Sequence, residues 1–427
     1  MAGRMFKTAG ALFAAVAVAG TTGVATASAA PLDGTASPAP LLDTAGATAV
    51  PGSYIVVLKD GTTTAAGARV AAEGASVAEV RAAAVSSAAS AAERSGATVH
   101  QRWSHALTGF SAELTAAQLR TLRANPEVAY VQPNNVVTIN TTVAPGGGVT
   151  AQAVGSWGLD RLDQADLPLD DTYTAPGDGS GVTAYIVDTG INTSHSDFGG
   201  RASIGFDAVG DGRNGIDCNG HGTHVSGTVG GTEYGVAKNV DLVGVRVLGC
   251  DGSGTTAGVV DGVDWVTENH SGPSVANMSL GGGSDPALDS AVAGAVSSGV
   301  VFAVAAGNDY ESDACDGSPS GVPSAITVGS TTITDQLSAF SNVGGCVDIL
   351  APGSDITSDW IGGTSATNTI SGTSMATPHV AGAAALLLEQ NPSASPSSIA
   401  SALEDAAVQD AVSGVPSDTV NLLLQVG

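Results

Sequence analysis

Along the chain the apolar positions first gather in residues 11–19, behind Arg4 and Lys7 and ahead of the small-residue stretch Ala27-Ser28-Ala29. A charged start, a short apolar core and small residues at its end predict a secretory signal over 1–30. The run is too short to anchor in a bilayer, and no later stretch is long enough to cross one. An exported, unanchored extracellular protein is the expectation. Residues 31–50, rich in Pro, Ala and Thr, read as a flexible lead-in. Residues 54–58 (Tyr-Ile-Val-Val-Leu) read as a strand ending in the turn Lys59-Asp60-Gly61. Residues 65–94 are Ala-rich with scattered Glu and Arg, a helical pattern. Residues 110–114 alternate like a strand, Thr115 caps a short helix through Arg123, and 128–131 closes as another strand. The order β-α-β-α-β over about 51–140 predicts a small ferredoxin-like α+β unit. The Thr/Gly-rich stretch 141–155 reads as a linker open to processing.

From Trp157 onward the pattern changes. Apolar runs at 182–187, 240–247, 275–280, 300–304 and 325–328 alternate with helical stretches such as 258–269 and 287–298. Strands alternating with helices predict an α/β fold: a doubly wound, mostly parallel sheet with helices on both faces. In such sheets, sites gather outside the carboxyl ends of the strands. Residues 370–380, Ile-Ser-Gly-Thr-Ser-Met-Ala-Thr-Pro-His-Val, lead through small residues to one serine and then into an apolar helical run. Ser374 is therefore expected at the N-terminus of a buried helix, with Pro378 in its first turn. Free backbone N–H groups and the positive end of a helix dipole there suit a developing oxyanion.

Two further segments carry matching chemistry. The strand 182–187 ends in Asp188-Thr189-Gly190, and Asn219-Gly220-His221-Gly222-Thr223-His224-Val225 places His221 at the start of a helix. Nucleophilic serine catalysis needs a base within hydrogen-bond reach and a carboxylate to orient that base. Asp188, His221 and Ser374 supply one of each.

Charge narrows the partners. Residues 1–150 hold nine basic and eight acidic side chains, whereas 151–427 hold five basic and 32 acidic. Such an acidic surface repels nucleic acid and anionic membrane, and favours solubility and cation binding. The four cysteines, Cys218, Cys250, Cys315 and Cys346, form no C-x-x-C pair, which argues against a zinc knuckle. An even count in an exported chain implies disulfides, with three connectivities open. Nothing in the pattern calls for an oligomer, so a monomer is expected.

Asp-Thr-Gly-Ile at 188–191, Gly-His-Gly-Thr-His-Val at 220–225 and Gly-Thr-Ser-Met-Ala-Thr-Pro-His-Val at 372–380 resemble the signature motifs of the subtilase serine proteases. Their order, Asp188 then His221 then Ser374, is the order of the subtilisin triad. The flanks 157–164, 234–238 and 276–283 look like the proteinase K branch, and most like its aqualysin-type secreted members. The resemblance covers essentially all of 155–427, and 51–140 is similar to the inhibitory propeptide of the same family. It implies a signal peptide (1–30), a propeptide (31–150) that inhibits and assists folding, and a peptidase domain (151–427) of subtilisin-like fold. The implied activity is a broad serine endopeptidase that matures by self-cleavage.

The roles follow residue by residue. The resemblance makes Ser374 the nucleophile, His221 the base and then acid, Asp188 the orienting carboxylate and Asn308 the oxyanion donor. Gly252, Ser253 and Gly254 resemble one substrate-flanking strand, and Ser279, Leu280, Gly281 and Gly282 the other, for an extended peptide. The pocket for the residue before the scissile bond would be lined by 279–282 and by Ala305, Ala306 and Gly307, all uncharged. That lining predicts a preference for apolar or aromatic side chains; arginine would need acidic walls. Aqualysin-type relatives imply the disulfides Cys218–Cys250 and Cys315–Cys346. Structural Ca2+ is implied at Asp348 with the carbonyls of Pro323 and Ala325, and at Asp160, Asp163, Gln164, Asp170 and Thr172. No cofactor is needed for the chemistry. His224 and His379 are read as structural, and His195 and His270 as surface residues. Two rivals from other classes are a catalytically silent subtilase fold serving as a binding protein, and an esterase using the same triad.

Overall fold

Ser76 stops one helix and starts the next: its hydroxyl accepts the Glu79 N–H while the Glu79 carboxylate accepts the Ser76 N–H. The predicted helix over 65–94 is thus two, α1 (Ala65–Ala72) and α2 (Val77–Arg94), after the strand β1 (Ala49–Leu58). A strand absent from the sequence reading follows, β2 (Thr98–Trp103), then β3 (Gly109–Glu113). The foreseen helix α3 (Ala116–Arg123) is capped by Thr115, and β4 (Val128–Ile139) closes the unit. The strands pair antiparallel in the order β4-β1-β3-β2, so the unit is βααββαβ rather than βαβαβ. It remains the ferredoxin-like α+β layout, with Val56, Val85, Ala88, Phe110 and Val131 in its core. The computed structural model describes residues 37–44, 46–59, 65–139, 154–310 and 312–426; the expected signal, the Asp60-Gly61 turn and all of the linker before residue 154 lie outside them.

β4 is predicted over four residues and runs for twelve. Its second half leaves the small unit and pairs with strands of the larger one.

After the short helix α4 (Trp157–Leu162), the remaining chain alternates as expected. Strands β5 (Thr183–Asp188) and β6 (Ala202–Asp207) precede α5 (His221–Gly230), β7 (Asp241–Arg246), β8 (Ser253–Thr255) and α6 (Thr256–Asn269). Next come β9 (Ser274–Met278), β10 (Leu280–Gly283), α7 (Pro286–Ser297), β11 (Val301–Ala305), β12 (Gly317–Ser318) and β13 (Ile326–Thr331). The chain ends with β14 (Ile349–Pro352), β15 (Ile356–Asp359), β16 (Thr367–Ile370), α8 (Thr373–Gln390), α9 (Pro396–Ala406), β17 (Val408–Gln409) and β18 (Leu422–Leu423).

The main sheet runs β6-β7-β5-β9-β11-β13-β14-β18-β17, parallel except for the last pair. Alternate residues of one strand serve opposite faces. Ala184 and Ile186 of β5 join a core with Val225 of α5 and Val380 of α8. Tyr185 and Val187 join a second core with Val263 of α6 and Ala291 of α7. Helices therefore cover both faces, and the sheet is doubly wound. Among the described residues no helix is long and apolar enough to cross a membrane.

The hairpin β15–β16 backs α5. His224 Nε2 meets the Ile356 carbonyl at 3.0 Å, and Ser358 donates to the His224 carbonyl at 2.9 Å. The next residue, Asp359, is fully buried and faces Asp197, Glu233 and His195, whose Nδ1 lies 3.3 Å from its Oδ1. His195, expected at the surface, is only 4% exposed, because its Nε2 also bonds the Ala366 carbonyl. Burial first, then the Asp197 carboxylate, pushes the Asp359 carboxyl up to about 8. An unfolded chain ionises this group near pH 4, so stability falls as pH rises from about 4 through about 8. Asp359→Asn is therefore expected to raise the Tm by about 5 °C or more at pH 9 and far less at pH 5. Equal shifts at both pH values, measured calorimetrically, would contradict this.

Candidate active site

β5 delivers Asp188 at its carboxyl end, and β7 delivers Arg246 beside it in register. Arg246 is fully buried: it donates through Nε to the Thr189 carbonyl at 3.2 Å and through its guanidinium to Asp207 and Asp211. Its hydrogen bonds hold the Asp211 carboxyl down to about 2. The turn after β5 is thereby fixed on a charged anchor that the sequence reading did not single out.

His221 opens α5, as expected, but it is Asp217 that holds that helix end. Its carboxylate accepts the N–H groups of Asn219, Gly220 and Thr223, all at 2.9 Å, and the hydroxyls of Thr189 and Thr223. A carboxylate at a helix N-terminus is stabilised by the dipole. The signal was legible as an Asp four positions before a helix start. Gly222 must lack a side chain, since a Cβ would strike the Gly190 carbonyl oxygen. With both backbones so close, His221 Nδ1 sits 2.8 Å from Asp188 Oδ1, and both side chains are buried. His221 Nε2 has no hydrogen-bond partner among the described residues. The imidazole is held on one nitrogen and free on the other.

Ser374 is the second residue of α8. Pro378 is not in the first turn as expected but one turn further in, where its missing N–H would leave the Ser374 carbonyl unpaired. Ser279 supplies the bond: its hydroxyl donates to the Ser374 carbonyl at 2.8 Å, and Asn277 Nδ2 donates to that hydroxyl at 2.9 Å. In return the Ser374 hydroxyl donates to the Ser279 carbonyl at 2.9 Å rather than to His221. Asn277 had been only part of a motif flank; the clasp explains its type.

Asn308 is held from behind. Its Oδ1 accepts the Thr373 N–H at 2.9 Å and the Thr373 hydroxyl at 3.0 Å, leaving its buried Nδ2 without a partner. Two donors on Oδ1 fix which way the amide points. His224 and His379 behave as structural residues. Burial lowers their pKa values to about 3 and about 4, and each ring is bonded to a backbone carbonyl, of Ile356 and Met375 respectively. His270, expected at the surface, is half-buried.

The second half of β4 lies between the two expected flanking strands. Val136, Val137 and Thr138 pair with Thr255, Gly254 and Ser253 of β8, and the Ile139 N–H donates to the Gly252 carbonyl at 3.0 Å. On the other side Thr138 and Ile139 pair with Gly281 and Leu280 of β10. Beyond Thr138 opens a cavity of about 360 Å³ between Gly281–Gly282 and Ala305–Gly307. Its outer wall corrects the expectation of an uncharged pocket: Asp309, Asp313 and Asp316 line it, from a segment given no role before.

Both disulfides are present as the resemblance implied: Cys218–Cys250 ties the approach to His221 to the approach to β8, and Cys315–Cys346 closes the loop beside the cavity. The first cation set is gathered around a second cavity of about 440 Å³, lined by Asp348, Pro323, Ala325 and Glu404. Burial, then the Glu404 charge, pushes Asp348 up to about 6, the mark of a carboxyl lacking a counter-charge. In the other set Asp160 accepts the N–H groups of Asp170 and Asp171, Asp163 that of Thr174, and Gln164 Oε1 that of Asp170; Asp170 accepts both donors of Thr172. All donors are oxygens, which fits a hard cation in each set.

Comparison with known proteins matches residues 179–421 to the Subtilase family and residues 53–140 to Peptidase inhibitor I9. The alkaline serine exoprotease A of Vibrio alginolyticus is 54% identical over 329 residues, 76% of this chain and 60% of that protein. The extracellular serine proteinase of Thermus sp. (strain Rt41A) is 52% identical, covering 77% and 78%. This chain thus spans less than two thirds of the Vibrio protein's length. The crystal structure of a cold adapted subtilisin-like serine proteinase matches with a TM-score of 0.62 and 59% identity, over 64% of this chain and 98% of that one.

The clasp around Ser374 can be tested by itself. Ser279→Ala leaves the Ser374 carbonyl unpaired and should destabilise the protein by about 1–2 kcal/mol. Adding Pro378→Ala, which restores the N–H, should recover part of that loss in chemical denaturation. Strict additivity of the two changes would refute the pairing.

Proposed function

Because the chain belongs to the subtilase family, we propose that it is a secreted serine endopeptidase of broad specificity, made as a self-processing zymogen. The observation that carries this reading is the buried Asp188–His221 pair with its free Nε2, beside a cleft already filled by an extended strand of the same chain. Once Ser374 turns its hydroxyl from Ser279 to His221, the base takes the proton as Oγ attacks the peptide carbonyl. Asp188 holds the Nδ1–H and balances the imidazolium charge. Asn308 Nδ2 and the Ser374 N–H receive the developing oxyanion. A donor of this kind is worth about 3–4 kcal/mol, a magnitude known from a subtilisin itself. His221 then protonates the leaving amine, and water repeats the sequence on the acyl-enzyme.

Residues 1–30 act in this reading as the signal, 31–150 as propeptide and 151–427 as peptidase. Extracellular action accords with the Thermus relative's name. Gly and Ala walls suit an apolar or aromatic P1 side chain, while Asp309, Asp313 and Asp316 disfavour an acidic one. Calcium held by Asp348 with Pro323 and Ala325, and by the Asp160–Thr172 loop, would neutralise buried carboxylates and stiffen these segments without entering the chemistry. A silent fold would lack one of Asp188, His221, Ser374 or Asn308, and none is missing. An esterase would have no use for the paired backbone edges of β8 and β10.

Hydrolysis of casein and of Suc-Ala-Ala-Pro-Phe-p-nitroanilide, abolished by PMSF and lost more slowly in EDTA, is the expected result with the secreted protein. Ser374→Ala should accumulate uncleaved. A folded, processed protein without peptide hydrolysis would overturn the proposal, and a fully processed Ser374→Ala protein from a protease-free host would overturn self-cleavage.

A further inference from the structure

The face that α6 and α7 turn to the N-terminal unit is acidic, and its carboxylates are satisfied very unequally. Asp264 is well supplied: it accepts the backbone N–H groups of Ser104, His105, Ala106 and Leu107. Asp285 likewise accepts Gln132 Nε2 at 2.6 Å, Asn135 Nδ2 at 2.8 Å and the Thr256 hydroxyl. Two others are not. Asp261 is offered the indole N–H of the fully buried Trp103 at 3.0 Å, and Asp264 lies one helical turn away on the same helix. Asp289 has a buried Oδ1 with no partner, beside Tyr130, whose hydroxyl reaches the Pro286 carbonyl and Ser290. Among the described residues no lysine or arginine pairs with any of these four carboxylates. The basic group that does face them is His105 of the N-terminal unit, with Nδ1 3.3 Å from Asp264 and Nε2 3.9 Å from Glu268. Arg81 is spent on the His105 carbonyl at 2.8 Å.

We propose that this interface is a proton-linked clamp, holding the propeptide most tightly in acidic solution and loosening as the pH rises toward neutrality. The proposal rests on the reading of residues 31–150 as an inhibitory propeptide, and adds when the inhibitor lets go. Its physical basis is the partial burial of carboxylates that docking shields from water without supplying a counter-charge. Burial pushes Asp261 up to about 6, with Asp264 adding to it and Trp103 opposing. Burial also pushes Asp289 up to about 6, with Asp285 adding to it and Ser318 opposing. Tyr130 is pushed up as well, by burial and then by Asp285 and Asp289, so it stays neutral through this range. Leaving the interface returns the carboxyls toward water, where a carboxyl ionises near pH 4.

The sign follows directly. The docked form binds more protons than the released one between about pH 4 and 6, so docking weakens as pH rises through that window. Each carboxyl contributes about tenfold between pH 5 and pH 8 if docking alone raises it. Part of each group's burial comes from its own helix, so a total loss of at least tenfold is the expectation.

The test uses the full-length Ser374→Ala protein, which does not cut itself. The amides of residues 104–107, which donate to Asp264, report docking through hydrogen exchange corrected for the intrinsic rate at each pH. Their protection is expected to fall at least tenfold from pH 5 to pH 8, while amides of β5 and α8 hold theirs. Asp261→Asn combined with Asp289→Asn mimics the protonated state, so protection at pH 8 should rise toward the pH 5 value. Protection independent of pH, or an unchanged slope in the double Asn variant, would overturn the clamp. Because the readout needs no turnover, that failure is separate from any failure of the peptidase reading, which the casein assay decides.

Discussion

The structure depends on an unmet need of two strand edges. β8 and β10 lie on either side of β4, and the edges they turn to it are paired by its backbone. Such edges demand a partner strand. In this chain β4 supplies it, and so is shared by the ferredoxin-like unit and the cleft. In the mature enzyme a substrate would do so, its peptide bond drawn toward Ser374 by the same ladder. Under the proposed function, inhibition and recognition would then use one set of hydrogen bonds.

The chemistry is held from behind at each point. Asp188 rests on a turn anchored by Arg246, and His221 on a helix end held by Asp217. Ser374 sits in a helix whose proline-broken bond is repaired by Ser279, and Asn308 is aimed by Thr373. His221 Nε2 and Asn308 Nδ2, the two groups that catalysis would use, have no hydrogen-bond partner among the described residues. Preorganised polar groups of this kind cost stability locally, and the buried cores on both sheet faces offset it.

Much of this was legible in the sequence, for physical reasons. The strands of the main sheet are continuous Val/Ile/Ala runs because both faces are buried, and Thr115 announces α3 because a capping side chain must precede a helix. The triad and Asn308 stood out through motif order. β2 was missed because Thr98–Trp103 carries His, Gln and Arg on a half-exposed edge, which hides its alternation. The break between α1 and α2 was missed because alanine runs through both, so only the Ser76 capping box marks it. His195 was misjudged, and the aspartates at 309, 313 and 316 were overlooked, for a different reason. Whether a polar residue is buried, or turned toward a pocket, is decided by segments far away in the chain, such as Asp359 for His195.

The central claim is that β8 and β10 are unpaired edges completed by the propeptide and then by substrate. Hydrogen exchange at Ser253–Thr255 and at Leu280 and Gly281 tests it most directly, in the full-length Ser374→Ala protein and in the peptidase freed of residues 31–150, with and without a peptide aldehyde inhibitor. The account predicts protection in the first, its loss in the freed peptidase alone, and its return with inhibitor. Equal exchange in all three states would contradict it.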